Sequence, residues 1–391
     1  MGWLPTRRMK NNGIIVVLMI ALLLSFMPCH GDTLTWQGQF SAMTQYGHQA
    51  EYPFRLGGNL IPQVNAGIEL SNETLLDFEG SVHITGSGSF TGAAPNDYYG
   101  KVKPYRLWGR YSGRQFEVRG GLQKINFGPA MMLRPLMWFD QIDPRDPLQL
   151  TEGVWGVLGR YYLLNNANLW AWVLYGNEGQ RAWDTGKPAS GSPEWGGRVQ
   201  WPIPRGEAAL TSHFRKVDGA SHYYPLDPEA VSGKVSEQRW ALDGRWDVLV
   251  GLWFEAVWIH KADGPDLMRN HQMLTVGADY TFGVGNGLHV VGEHFVTGFG
   301  SESFVLGKDP LSFSALSLSY PVSLVHNVSA IVYYDWKNND RYQFVNWRMD
   351  LKHFDLYLMG YVNPEGTILP QQRSANTMGG KGALAMIVIN F

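Results

Sequence analysis

The sequence predicts an all-β fold, namely a transmembrane, antiparallel, up-and-down β-barrel of about eighteen strands. Three observations support this prediction. Past residue 32, the chain is built of segments about ten residues long in which apolar and polar residues alternate. The apolar faces of these segments end in aromatic residues, whereas the opposite faces carry charges. The connections between segments alternate between long and short, as expected for tight turns at one rim and longer loops at the other.

Composition excludes several other classes of protein. The 391 residues include 17% charged and 13% aromatic residues, with 32 basic and 34 acidic side chains. This charge balance gives no electrostatic case for a nucleic-acid partner. A single cysteine excludes a disulfide scaffold and a cysteine-ligated metal site. After residue 30, no apolar run approaches the ~20 residues of a membrane-spanning helix.

The N-terminal residues have the pattern of a secretory signal peptide. Three basic residues precede an apolar run over residues 14–26, and Gly31 occupies the −1 position for cleavage before Asp32. A membrane anchor and acylation of the single cysteine are the alternatives, but the apolar run is short for a span. We therefore expect a signal peptide over 1–31 and one exported barrel over 32–391.

This assignment makes a direct prediction about the mature chain. Its N-terminus should be Asp32, because Gly31 supplies the small residue that signal peptidases require before the cut. N-terminal sequencing of membrane-inserted protein tests the prediction. Recovery of residues 1–31 on that protein would contradict it.

The alternation places eighteen strands along the chain. In one clear case, Trp240, Leu242 and Trp246 alternate with charged residues. Sixteen strands are the alternative count, because Pro62 and Pro104 fall inside two segments, where a backbone donor is lost. The predicted strands span 33–45, 55–70, 74–86, 100–112, 114–124, 153–164, 168–177, 193–203, 206–216, 236–248, 251–262, 271–282, 287–298, 311–321, 326–336, 342–351, 354–362 and 380–391.

The last nine residues, 383–391, read Ala-Leu-Ala-Met-Ile-Val-Ile-Asn-Phe. They resemble the closing strand of Gram-negative outer-membrane proteins, in which the terminal Phe is part of the signal read by the barrel-assembly machinery. The resemblance implies a location in the cell outer membrane, with membrane lipid and the barrel-assembly machinery as partners.

The third long connection, residues 125–152, lacks strand alternation and is rich in Met, Leu, Trp and Phe. Loops of this length are usually functional or disordered, and this one is too apolar for disorder. It resembles in position and length the third external loop of general porins, which folds into the lumen and narrows the pore. An external lid is the alternative. The candidate constriction residues are Arg134, Trp138, Asp140, Asp143, Arg145 and Asp146.

The segment leading into this loop, residues 119–128, reads Arg-Gly-Gly-Leu-Gln-Lys-Ile-Asn-Phe-Gly. With Trp138 and Asp140 downstream, it resembles the Arg-x-Gly-x-Gln…Asn-(Tyr/Phe)-Gly stretch of alginate-export-type outer-membrane barrels. It departs from that pattern at Leu122, where the family usually has arginine. Those barrels are eighteen-stranded and carry polysaccharide through an arginine-lined lumen, so the resemblance implies the barrel type and the strand number.

The same alternation assigns charged side chains to the lumen. Basic inward positions fall on neighbouring segments, and acidic ones gather later in the chain, at Asp243, Asp247, Glu255, Asp279, Glu293, Asp335, Asp350 and Asp355. Opposed basic and acidic walls would create a transverse field that filters polar solutes. In the alternative, these charges pair and fill a closed barrel. The candidate pore-lining residues are Arg106, Arg110, Glu117, Arg119, Arg160, Arg198, Arg215, Arg239 and Arg245.

The expected function is a passive, porin-like channel for polar solutes, with anions as a candidate class. The alternatives are a polysaccharide-export pore, in which inward Trp108, Trp170, Trp172 and Trp253 could form a sugar track, and a non-conducting scaffold for a partner protein. We expect no enzyme and no cofactor, since no spacing links His294 to Ser319 or the histidines to one another. The oligomeric state stays open, with a homo-oligomer as one alternative.

Overall fold

The computed structural model describes residues 33–391 except 49, 72, 93–94, 222–232, 263–267, 366–368 and 370–377. The predicted signal peptide therefore lies outside the described residues. The strands are β1 (Thr33–His48), β2 (Phe54–Ser71), β3 (Thr74–Phe90), β4 (Pro95–Ser112), β5 (Phe116–Gln123), β6 (Val154–Tyr162), β7 (Asn168–Leu174), β8 (Glu194–Ile203), β9 (Gly206–Asp218), β10 (Lys234–Asp247), β11 (Gly251–Lys261), β12 (Asn270–Phe282), β13 (Leu288–Gly300), β14 (Leu311–Pro321), β15 (His326–Asp335), β16 (Asp340–Asp350), β17 (Asp355–Val362) and β18 (Lys381–Asn390).

These strands form one closed antiparallel sheet. Each strand pairs with its neighbours in the chain, and β1 also pairs with β18, from Gln39 opposite Asn390 to His48 opposite Lys381. Closure satisfies the backbone groups that an open edge would expose. The eighteen-stranded barrel predicted from alternation is confirmed, and the sixteen-strand alternative is wrong.

Helical structure in the described residues is a 3₁₀ turn at Gly219–Ser221. No helix in the described part of the chain has the length and apolar character needed to span a bilayer.

Both internal prolines are accommodated within the ladder. Pro62 lies opposite Gly38 on β1, and the pairing of β2 with β3 has no partner for it, so its missing N–H breaks no bond on that side. Pro104 lies opposite Val82, next to a register shift that leaves Tyr105 as an extra residue. A β-bulge thus absorbs the second proline without ending β4.

The two rims of the barrel differ, although less regularly than predicted. One rim has turns of two to five residues, whereas the other has connections of up to thirty residues. Three connections at the second rim are nevertheless short. β3 continues to Phe90 and β4 begins at Pro95, which leaves four residues between them, and β1–β2 and β15–β16 are joined by five and four residues. Strand propensity continues here past the predicted ends, so the strict long–short alternation fails.

The inner and outer faces have opposite chemistry. On β10, Trp240 and Leu242 are exposed on the outside, whereas Arg239 and Asp243 are buried inside. The same alternation on the other strands gives an apolar exterior and a polar, charged lining, which is the pattern of a barrel that crosses a membrane. The packed core of the protein therefore lies inside the lumen, where the long connections fold.

Candidate functional site

The connection between β5 and β6, residues 124–153 and hereafter L3, folds into the barrel. Ile125, Leu133, Leu136 and Trp138 are at most 1% exposed, although they belong to a loop. They pack into one cluster with inward side chains of distant strands, including Trp253. The predicted inward fold of this loop is confirmed.

Two wall carboxylates hold L3 by its backbone. Glu293 of β13 accepts three successive backbone N–H groups, Glu255 of β11 accepts two, and Thr275 of β12 donates its hydroxyl to the carbonyl of Leu133 at 2.6 Å. Hydrogen bonds to charged acceptors are among the stronger ones in proteins. The N–H donors to Glu293 are Met131 at 2.6 Å, Met132 at 2.9 Å and Leu133 at 2.6 Å, and those to Glu255 are Ala130 and Leu136, each at 2.9 Å.

The opposite side of L3 packs against aromatic residues of the wall. Phe139 contacts Trp172 of β7 and His213 of β9 edge-on, with ring centroids 5.5 and 5.0 Å apart. Phe127 stacks on Trp172 at 5.9 Å and meets Trp138 edge-on at 5.8 Å. L3 therefore fills the space between the β7–β9 wall and the β11–β13 wall.

The charged candidates of L3 are bonded within the loop. Arg134 donates to Asp140 at 3.0 Å, and Arg145 donates to both oxygens of Asp143 at 2.8 and 2.6 Å. Burial would lower the pKa of Arg134, but the attraction of Asp140 and neighbouring carboxylates raises it, so its charge is secure. Asp146 accepts backbone N–H groups of its own turn, and burial raises the pKa of its carboxyl. Arg134 and Arg145 are therefore neutralised by Asp140 and Asp143 within the loop, and Trp138 is fully buried.

A second connection also folds inward, which the sequence did not predict. Residues 175–193 between β7 and β8, hereafter L4, bring Trp183 against Phe295 of β13 at 5.1 Å between ring centroids. The Trp183 indole donates to the backbone carbonyl of Arg134 at 2.7 Å, and Lys261 donates to Thr185. L3 and L4 thus form one packed unit. The sequence signal for this inward fold is the apolar pair Ala182–Trp183, but the pair is short and is flanked by charged residues.

A buried charge network fixes L4 to the wall. Asp184 accepts hydrogen bonds from Arg215 of β9, at 2.8 Å, and from Arg239 of β10. Glu237 of β10 binds the same two arginines at 2.6 and 2.7 Å. The four side chains are at most 1% exposed. Burial alone would raise the pKa of Asp184, but the two arginines hold it far below its usual range.

We expect this attachment of L4 to withstand mild acid. Because the pKa of Asp184 is depressed, its ion pairs stabilise the fold above the ordinary carboxyl value of about 4 and are lost only as pH falls well below it. Limited proteolysis between pH 4 and pH 8 should therefore cut L4 at a constant rate, once the protease's own pH profile is subtracted. A rate that rises near pH 5 would contradict the depressed pKa.

Three of the predicted pore-lining arginines belong to buried ion pairs with the wall or with L4. Arg215 and Arg239 are neutralised by Asp184 and Glu237, as described above. Arg198 of β8 binds both oxygens of Asp243, at 2.6 and 2.8 Å. Their side chains are 0–4% exposed. These three arginines therefore fit the alternative in which charges pair and fill the barrel.

A second group of arginines is partly open. Arg110, Arg119 and Arg160, hereafter the arginine cluster, lie on β4, β5 and β6 toward the short-turn rim, with side chains 28%, 15% and 19% exposed. Glu117 binds Arg160 at 3.0 Å and Arg110 at 3.3 Å, and Asp77 also binds Arg110. Arg119 approaches Glu117 only to 4.0 Å. Three guanidinium groups thus share two bound carboxylates, and a third carboxylate, Glu79 of β3, lies within electrostatic reach of Arg119.

Two inward tryptophans support this cluster. Arg119 lies over the ring of Trp108 at 4.5 Å, and Arg160 lies over the ring of Trp170 at 3.7 Å. Each ring therefore has one face covered by a guanidinium. Trp172 and Trp253 are 2% and 3% exposed beneath L3. The four rings do not present an open track of stacking faces.

The remaining two candidates lie outside the cluster. Arg106 is buried and donates to the carbonyl of Thr151 at 3.0 Å, which joins β4 to the end of L3. Arg245 is 29% exposed near the short-turn rim, 3.2 Å from Asp247 and 3.8 Å from Asp279.

The inner face of β1–β4 is polar and half-buried. Asn59 of β2 donates to Ser41 of β1 at 3.2 Å and bonds His83 of β3 at 2.9 Å. Lys103 of β4 donates to Glu152 of L3, which lowers the pKa of that carboxyl against the opposing effect of burial. Polar groups here are arranged along the wall rather than sealed beneath apolar loop residues.

The histidine–serine pair considered for catalysis is not formed. His294 faces outward and bonds Ser314 at 2.9 Å and Ser312 at 3.3 Å, whereas Ser319 donates to Asn327 at 3.3 Å. Within the described residues, no group of three His, Cys, Asp or Glu side chains could hold a metal ion.

Comparisons with known proteins support the architecture alone. No family model matches the chain, and no curated protein matches it. Among solved structures, OmpT, an outer membrane protein of Vibrio cholerae in a trimer form, superposes with a TM-score of 0.52 at 10% identity, covering 93% of this chain and 100% of that one. An anion-selective porin from Comamonas acidovorans gives 0.50 at 13% identity, covering 92% and 100%. The chain therefore has the fold of outer-membrane porin barrels.

Proposed function

We propose that this protein is an outer-membrane, porin-like channel for the passive passage of polar solutes, with anions as the preferred class. Export by the N-terminal signal peptide is part of the proposal. The observation that carries it is the arginine cluster, whose three side chains keep solvent-exposed area inside the barrel. Guanidinium groups that only fill a wall would be sealed, as Arg198, Arg215 and Arg239 are.

L3 and L4 together are hereafter called the plug. The passage would run beside the plug rather than through it. L3 and L4 pack against β7–β13, and residues 144–149 of L3 reach β15–β17, so the half-buried polar face of β1–β4 and the arginine cluster line the remaining side. Asp77 and Glu117 bind the cluster and Glu79 lies near Arg119, so a solute would meet the exposed guanidinium edges rather than a large net charge. A fixed charge in a narrow pore acts at an effective dielectric constant nearer ~20 than 80. Anions are attracted along such a wall, and salt limits the effect to within ~8 Å.

Replacing Arg110 and Arg160 by Gln tests the selectivity. The double variant Arg110→Gln/Arg160→Gln leaves Asp77 and Glu117 less compensated, so the anion-to-cation permeability ratio should fall severalfold. The reversal potential of planar bilayers in a salt gradient measures this ratio. Arg114→Gln is the matched control, because that side chain is 80% exposed at the short-turn rim. Unchanged selectivity in a folded double variant would contradict the role of the cluster.

The same bilayer separates the alternatives that the sequence left open. Ohmic current with an anion preference supports the channel. Current that added polysaccharide blocks supports an export pore of the alginate type. Absence of current from folded, inserted protein supports a non-conducting scaffold and would overturn the proposal.

A further inference from the structure

A cavity of about 720 Å³ opens at the long-connection rim of the barrel. It lies between the C-terminal end of L4 and the ends of β9, β10 and β11 that reach this rim. It plays no part in the passage described above. Its lining combines aromatic rings with cationic and hydroxyl groups. The lining residues that bear on its chemistry are Trp195, Phe214, Lys216, Lys234, Ser236 and His260.

The part of the cavity nearer the barrel's middle is an aromatic surface that faces outward. Trp195 of β8 is 54% exposed and stacks on Phe214 of β9, with ring centroids 4.3 Å apart. Trp240 of β10 meets Phe214 edge-on at 5.8 Å. Exposed Leu210 and Leu242 continue this apolar surface along the wall. Acyl chains pack on such a surface, and tryptophan favours the level of lipid head groups.

The part of the cavity nearer the rim is cationic. Lys216 is exposed, and Lys234 is held at the edge of the cavity by bonds to the carbonyl of Ser190 at 3.0 Å and the hydroxyl of Ser192 at 2.9 Å. Of the described lining residues, Glu237 supplies a carboxylate, but it is turned to the lumen and bound by Arg215. The outward-facing charges of the described lining residues are therefore positive, and Asp218, opposite Lys234 in the β9–β10 ladder, borders the cavity from outside that lining.

We propose that this cavity binds the head group of a phosphate-bearing lipid in the leaflet at the long-connection rim. The phosphate would lie between Lys216, Lys234 and the Ser236 hydroxyl, and the acyl chains would run along Trp195 and the leucines beyond it. Phosphate fits because a compact anion can accept from two ammonium groups at once. The inference rests on the proposed membrane location but does not depend on conduction.

Native mass spectrometry of the full mature chain in a neutral detergent tests the site. The probe is phosphatidic acid, with diacylglycerol of the same acyl chains as the matched lipid without phosphate. A lysine near a membrane surface contributes about 1 kcal/mol to anionic lipid binding, so Lys216→Gln should weaken retention about fivefold and Lys216→Gln/Lys234→Gln about thirtyfold. Lys308→Gln, at an exposed lysine of the same rim, should leave retention unchanged.

Each other outcome would overturn the proposal in a distinct way. Equal retention by the wild type and the double variant would remove the lysines from the site. Equal retention of diacylglycerol would leave only an apolar surface. Displacement of phosphatidic acid by millimolar inorganic phosphate would assign the site to free phosphate rather than to lipid. Lys216→Gln changes a side chain on the surface, so a folding defect in the double variant would not hide the result.

Conductance and lipid retention together distinguish a failure of the lipid site from a failure of the proposed channel function. Conductance of the same variants in a bilayer should equal that of the wild type, because both lysines lie outside the lumen. A channel that fails to conduct but still retains phosphatidic acid contradicts only the proposed function. A conducting channel without lipid retention contradicts only the lipid site.

Discussion

Deletion of residues 129–150 should raise single-channel conductance severalfold while the barrel remains folded. The deletion removes the part of L3 that fills the space between β7–β9 and β11–β13, whereas the strand ladder that closes the wall involves none of these residues. Glu255 and Glu293 would then face water in a wider lumen, where hydration replaces the backbone donors that they lose. Conductance in planar bilayers measures the effect, and heat-modifiable migration on gels verifies the fold.

A milder variant weakens the attachment of L3 to the wall without removing the loop. Glu293→Ala leaves the chain intact but removes the acceptor of three N–H groups, and each buried donor without a partner costs about 1–3 kcal/mol. We expect conductance between that of the wild type and the deletion, with larger current fluctuations. Glu302→Ala, in a connection at the rim, is the control. Wild-type conductance of the deletion would show that L3 does not narrow the passage.

Replacement of Asp184 should produce a large loss of stability. Asp184→Ala leaves Arg215 and Arg239 buried with one carboxylate, Glu237, for two guanidinium groups. Breaking a buried ion pair by removing one partner costs about 3–5 kcal/mol. The loss should appear first as faster proteolysis of L4 and then as a lower urea midpoint for vesicle-inserted protein.

An exposed ion pair supplies the control for this stability measurement. Asp309 pairs with Lys337 at the rim, where its side chain is 76% exposed. Asp309→Ala should change the free energy of unfolding by less than about 1 kcal/mol, because exposed ion pairs contribute little. Equal midpoints for the two variants would show that the buried network does not stabilise the barrel.

The wall of the barrel was predictable because its information is local. Trp240 and Leu242 alternate with Arg239 and Asp243, and a period of two fixes the face of each side chain without knowledge of the partner strand. The same locality explains the errors. The ends of β3 and β4 depend on pairing with each other, so the sequence between residues 87 and 99 gave no sign that both strands continue toward Phe90 and Pro95.

The interior was less predictable because its contacts join distant residues. Glu293 was assigned to the lumen, but besides the indole of Trp253 its donors are three backbone N–H groups of L3, and residue type does not predict backbone donors. Asp184 looks like an ordinary loop charge, and its binding to Arg215 and Arg239 follows only once L4 folds inward. Alternation therefore assigns a charge to the lumen, but it does not distinguish an open guanidinium from a sealed one.

The fastening of L3 also sets the order in which the molecule can assemble. Its bonds to Glu255 and Glu293 join residues 119–162 positions apart, across the middle of the chain. Such non-local contacts form slowly, because a long chain segment must first be closed. L3 leaves β5 early but finds its acceptors only when β11–β13 are in place. We therefore expect L3 to reach its place late in folding, after the lumen that it fills has been enclosed.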